Sequence, residues 1–252
     1  MIIDCHGHYT TAPKALEIWR NQQIAGIKDA AVMPKVADLK ISDDELRETI
    51  EANQLKLMNE RGSDLTIFSP RASFMAHHIG DFNVSSTWAA ICNELCFRVA
   101  GLFPDRFVPA AMLPQSPGVA PVTCIPELVK CVEQYGNVGI NLNPDPSGGH
   151  WTSPPLSDRA WYPIYEKMVE YDIPAMIHVS TSRLTKLKRT PRTPAACMAC
   201  SSASVTLRLT VATPRALPPL CSSASTIARL SAPWQVACTT TLRAKPSWSR
   251  KA

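Results

Sequence analysis

The chain has 252 residues, 45% of them hydrophobic, with 26 Lys and Arg against 21 Asp and Glu, the size and apolar content of one soluble domain. No run of about 18 apolar residues occurs, and Met1–His6 lacks the basic and apolar regions of a signal peptide, so neither a membrane span nor secretion is expected. The nine cysteines are scattered without a framework spacing, and the expectation is a cytoplasmic, reducing setting with free thiols.

A first β-rich run, Met1–Asp4, leads into Asp4-Cys5-His6-Gly7-His8. Side chains at i and i+2 of a strand share a face, so the two imidazoles can converge while Gly7 keeps the space between them open. A helix is predicted from Ser42 to Gly62: Ser42-x-x-Glu45 is a capping box, Gly62 is a stop, and Leu46, Ile50, Leu57 and Met58 share one face. Further strands are predicted at Leu65–Ser69, Phe107–Leu113, Val138–Leu142 and Pro174–Val179, with helices at Ser86–Leu102, Val122–Tyr135 and Ser157–Tyr171. Cys5 reads as a small packed hydrophobe, because no base is placed to form its thiolate.

Composition changes near Ser182. Residues 183–252 hold 12 Lys and Arg and no Asp, Glu, Gly, His, Asn, Phe or Tyr, which leaves 26 − 12 = 14 basic against 21 acidic residues in 1–182, a net of −7. At average usage, the absence of Gly, Asp and Glu over such a length has a likelihood below about one in a million. A basic nucleic-acid tail, a zinc module using Cys197-x-x-Cys200 and an out-of-frame translation compete as explanations. Widely spaced basic residues disfavour the first, and Cys221 and Cys238 at the wrong spacing, with no following His, disfavour the second. The favoured reading divides the chain into residues 1–182, the N-terminal part of an α/β domain, and residues 183–252, an irregular or disordered basic low-complexity tail read out of frame.

Five βα units fit either a doubly wound open sheet or a (β/α)8 barrel cut short. No G-x-G-x-x-G or G-x-x-x-x-G-K-[ST] follows a strand, which removes the usual support for a nucleotide-binding open sheet. In a barrel, functional groups gather at the C-terminal ends of strands, and here His6 and His8 end the first, Arg71 the second, Asn141 the fourth and His178 the fifth. His6, His8 and His178 are therefore the candidate ligands of Zn2+ or another divalent metal.

Ile3-Asp4-Cys5-His6-Gly7-His8, with His178 in Ala175-Met176-Ile177-His178-Val179-Ser180, resembles the amidohydrolase superfamily, specifically its nonhydrolytic decarboxylases and hydratases. The resemblance extends to Ser69-Pro70-Arg71-Ala72-Ser73, Phe103–Phe107 and the Gly139–Gly149 loop, and covers residues 1–182. It implies an α/β fold, a metal-dependent (β/α)8 TIM barrel truncated here after about five units. The implied activity is hydration of 4-oxalomesaconate, a tricarboxylic keto acid from ring cleavage of protocatechuate or gallate. Arg71 would fork onto a substrate carboxylate, Asn141 would bind another substrate oxygen, and His77, from the His77-His78 loop, would touch substrate. His150 and Trp151 would belong to a lid. Family members carry a further carboxylate and histidine on later strands, and the tail supplies neither, so this chain is expected to be incompetent. The implied partner is a small polycarboxylate, not a membrane or nucleic acid, and a homo-oligomer is compatible. Two alternatives stand beside it: a decarboxylase of an aromatic or muconate-semialdehyde acid, and a non-enzymatic truncated scaffold with a basic anion-binding tail.

Overall fold

Five strand positions in the first 178 residues pair side by side in the order in which the chain makes them. The structure, a computed structural model, describes residues 1–71 and 75–178 and the backbone of three segments, 205–209, 228–229 and 235–239. Strand β1 (Ile3–Tyr9) runs parallel to β2 (Leu65–Pro70), which runs parallel to β3 (Phe107–Pro109). Strand β4 (Ala111–Met112) pairs parallel with β5 (Ile140–Leu142), and β5 with β6 (Ala175–Ile177). The expected third strand is thus split: Ala110 N–H still donates to Phe68 O, whereas Ala111 N–H donates to Gly139 O. One bend hands the chain from β2 to β5.

A doubly wound sheet must reverse its strand order at one point, and this one does not. Parallel strands added always on the same side, each joined by a helix, build a partial barrel. In the tail, β7 (Val205–Leu209) pairs antiparallel with the free edge of β6, and β9 (Gln235–Thr239) lies between β7 and β8 (Ala228–Arg229). The expected irregular tail is interrupted at those segments; its other residues, including Cys197 and Cys200, lie outside the described residues.

Strand β1 runs farther than expected, and the His-x-His pair sits inside it because pairing with β2 continues to Tyr9 opposite Pro70. Helix α1 (Lys14–Gly26) comes next. The predicted 42–62 helix begins at its capping box, with Glu45 N–H donating to Ser42 Oγ (3.2 Å) and Ser42 N–H donating to Glu45 Oε2 (2.8 Å). It forms in three pieces, α2 (Asp43–Thr49), a π-helical turn (Ile50–Leu55) and α3 (Lys56–Arg61), and Gly62 closes it at φ 66°. Within the wide turn the Thr49 carbonyl accepts from Asn53 Nδ2 at 2.9 Å. One extra residue in the turn rotates α3 relative to α2, so Met58 is buried while Leu57, expected on the same face, is 45% exposed.

Helix α4 (Phe82–Leu102) starts before the predicted Ser86, because Asp81 Oδ1 accepts from Val84 N–H at 2.9 Å. Helices α5 (Ile125–Tyr135) and α6 (Tyr162–Glu170) are shorter than predicted, each preceded by a 3-10 turn. No helix among the described residues is long and apolar enough to cross a membrane. One core gathers Phe68, Trp88 and Phe107 beneath α2 to α4, and a second gathers Ile140, Leu142 and Ala175 against Leu128, Trp161 and Ile164. By strand alternation, the residues between these apolar positions face the opposite, inner side of the sheet.

Candidate metal centre

Inner-face alternation places His6 and His8 on β1, Ser69 on β2 and Asn141 on β5 on the side away from the helices. His178 lies one residue beyond β6 and prolongs its ladder, its N–H donating to Leu142 O at 2.8 Å. Parallel strands in sequence order bring these ends together although 170 residues separate His8 from His178. His8 Nε2 lies 2.8 Å from His6 Nε2 and 2.9 Å from His178 Nε2. The three rings stand edge to face, with centroids 4.6, 4.7 and 4.8 Å apart.

The far side of the His8 ring fixes its tautomer. Ser69 Oγ–H donates to Gly7 O at 3.0 Å, so that hydroxyl proton is committed. His8 Nδ1 lies 2.8 Å from Ser69 Oγ and 3.0 Å from Pro70 O. A carbonyl oxygen can only accept, so Nδ1 carries the proton and the Nε2 lone pair points at the other two rings. Burial, with the neighbouring His178 and His6, lowers the His8 pKa to about 4 against the opposing Pro70 carbonyl. Burial also lowers that of His6, with Asp4 opposing. Half-buried imidazoles with nitrogens converging on one point suit a divalent cation, and three such ligands leave coordination positions open, as in catalytic zinc sites. Among the described residues this is the one cluster of three or more His, Cys, Asp or Glu able to do so.

Gly7 has a steric reason beyond the open space predicted for it. A Cβ there would stand 2.1 Å from Thr66 Cγ2 and 3.1 Å from Ile67 O, so the Thr66 side chain or the strand itself would have to move. Gly7→Ala is expected to cost about 1–3 kcal/mol, measured as a lower urea midpoint at unchanged slope; an unchanged midpoint would show that the strands tolerate the methyl.

The other predicted residues are distributed unevenly. Arg71 is exposed directly after β2. Asn141 is 1% exposed, and both its Oδ1 and Nδ2 lack a protein partner among the described residues. His77 is 2% exposed, its Nδ1 2.9 Å from Ser85 Oγ. His78 packs on Gly148, where a Cβ would come within 2.6 Å of its ring, and His150 and Trp151 are exposed. Cys5 is exposed rather than packed, and the five described cysteines are free thiols.

Sequence reasoning missed Ser69 and the Pro70 carbonyl as the groups that orient His8, and it missed Asp145. That buried carboxylate accepts from Gly149 N–H at 2.7 Å, Ser147 N–H at 3.1 Å, Trp151 N–H at 3.2 Å and the Ser147 hydroxyl. It folds the loop after β5 around itself. The Asn-Pro-Asp-Pro-Ser-Gly-Gly run was the available signal, since Asp followed by Ser and Gly favours such side-chain-closed turns.

The amidohydrolase family profile matches residues 3–232. The chain belongs to the amidohydrolase family. A curated relative, 2-keto-4-carboxy-3-hexenedioate hydratase of Sphingobium sp. strain SYK-6, is 60% identical over 182 residues, 72% of this chain and 53% of the relative. The crystal structure of 4-oxalomesaconate hydratase from Rhodopseudomonas palustris is similar at 78% identity and a TM-score of 0.68, over 71% of this chain and 53% of that one. A 5-carboxyvanillate decarboxylase from Novosphingobium aromaticivorans, solved with bound manganese, shares the fold at 18% identity and a TM-score of 0.51, over 75% of this chain and 53% of that one. The chain therefore spans about half the length of these amidohydrolase-family relatives.

Proposed function

We propose that this chain is the N-terminal part of a metal-dependent hydratase that adds water across the double bond of 4-oxalomesaconate, in the degradation of protocatechuate or gallate. The observation that carries this reading is the convergence of His6, His8 and His178 at the inner rim of a partial barrel whose relatives at 60% and 78% identity are named hydratases. His6, His8 and His178 would hold Zn2+ or another divalent cation, which when bound supplies Lewis acidity and lowers the pKa of water toward about 7. Ser69 and Pro70 keep the His8 lone pair turned inward. Arg71, exposed beside Pro70, offers a planar fork that matches a substrate carboxylate. Asn141 offers its amide NH2 and its carbonyl oxygen from the inner face, both uncommitted among the described residues, and His77 belongs to the loop that follows β2.

The curated relative aligns over 182 residues, whereas the family profile runs on to residue 232, past the composition change near Ser182. We propose that residues 183–252 are an out-of-frame translation and that the present chain has little or no hydratase activity, because three imidazoles alone supply no proton-transfer carboxylate. Genomic sequencing around codon 183 tests the first point: one inserted or deleted base should open a frame containing Gly, Asp and Glu. For the reaction itself, residues 1–182 joined to the remainder of the R. palustris hydratase should hydrate 4-oxalomesaconate, and His8→Ala should abolish this. A folded, metal-loaded chimera that releases carbon dioxide from an aromatic acid instead would establish the decarboxylase reading; one that does neither would defeat both.

A further inference from the structure

Helix α1 comes after the C-terminal end of β1, and the 75–80 loop after the C-terminal end of β2, so both lie on the rim side where the three imidazoles open. They meet on one face of α4. Ser85 and Trp88, three residues apart and therefore on the same side of that helix, receive His77 and Arg20 respectively: His77 Nδ1 is 2.9 Å from Ser85 Oγ, and the Arg20 guanidinium carbon is 4.7 Å from the Trp88 ring centroid. Gln23, one turn along α1, accepts from Arg20 Nη1 and donates to Val84 O at 3.2 Å.

This cluster has donors and no anion. Arg20 is 7% exposed and forms no ion pair among the described residues, and a buried cation without a counter-charge is costly. Its guanidinium has five N–H donors, and the described residues use one of them, on Gln23. His77 Nδ1 shares its one hydrogen bond with Ser85 Oγ, and the tautomer in which that hydroxyl donates puts the proton on Nε2. That Nε2–H is buried without a partner among the described residues. Burial keeps the nearby Cys92 a neutral thiol, so it does not supply the missing charge. The Trp88 ring supports the guanidinium plane and leaves its in-plane edge to a ligand.

We propose that Arg20 and His77, braced by Trp88, Gln23 and Ser85, form a carboxylate-binding subsite at the rim, with Arg20 offering its fork and His77 its Nε2–H. A carboxylate accepts and does not donate, and its two oxygens match the spacing of the fork. In naming a substrate carboxylate as the natural occupant the assignment rests on the hydratase reading; the existence of the subsite does not.

The test uses the full 252-residue chain stripped of metal, with tricarballylate, a saturated tricarboxylate that cannot be hydrated, as probe. Saturable binding is expected by calorimetry, together with shifts of the Arg20 Nε and His77 Nε2 resonances in 15N NMR. Arg20→Lys should weaken binding at least tenfold, Arg20→Met should abolish it, and His178→Ala should leave it unchanged. No resonance shift in the unmodified chain at saturating probe overturns the subsite without recourse to any variant. Binding that survives Arg20→Met, or that His178→Ala removes, also overturns it. Equal, Arg20-dependent binding of inorganic phosphate would overturn the carboxylate assignment. Failure here with an active chimera removes the subsite alone; a failed chimera with Arg20-dependent binding removes the reaction alone.

Discussion

Replacing His178 with Ala is expected to lower the affinity of the chain for Zn2+ by about two to three orders of magnitude, measured by competition with a chromophoric chelator. Structural zinc sites with four ligands bind with an apparent free energy of about 10–16 kcal/mol, so one ligand of a smaller set carries a few kcal/mol. His178 is the decisive position because it comes from a strand far along the chain. His6 and His8 share β1 and could hold a metal weakly by themselves, whereas the third nitrogen is present only if β6 stands in its place beside β5. An affinity unchanged by the substitution, with circular dichroism showing an intact fold, would eliminate the three-histidine centre.

Acid should unfold this chain partly through His77. Burial first, then the charges of Arg20 and His78, lower its pKa from 6.5 to about 3. Linkage sets the sign: between these values the unfolded chain binds a proton at this residue and the folded chain does not, so stability falls as pH falls. The contribution is full above pH 6.5 and is lost down to about pH 3, at up to about 1.4 kcal/mol per pH unit. His8, lowered to about 4, acts in the same direction over part of this range. The comparison is therefore between the unmodified chain and His77→Asn in metal-free urea titrations at pH 7, 6, 5 and 4. The variant should be less stable at pH 7 and should lose less stability on acidification. Parallel profiles would show that His77 protonates in the folded state without penalty.

Local signals were legible where the interacting groups are close in sequence. Ser42 and Glu45 are three residues apart and form the capping box that their spacing predicted. Gly62 adopts the left-handed conformation that a helix stop requires. Helix α1 was not legible: Arg20 and Gln23 interrupt its buried face, so the apolar period is broken where the helix packs on α4. Leu57 was misplaced because the π-helical turn at Ile50–Leu55 breaks the 3.6-residue period on which its face was read. Cys5 was misjudged because its exposure depends on what packs over its face of β1, not on its neighbours in the chain.

By itself the sequence determined the alternation of strands and helices, the shared face of His6 and His8, the family resemblance and the change of composition near residue 182, all properties of neighbouring residues. The tertiary structure alone decided that the strands add in one direction, that the third strand bends between two partners, that His178 meets the first pair, and that Arg20 and His77 share a face of α4. Those outcomes depend on backbone pairing and side-chain contacts between segments far apart in the chain, which no local period or spacing encodes.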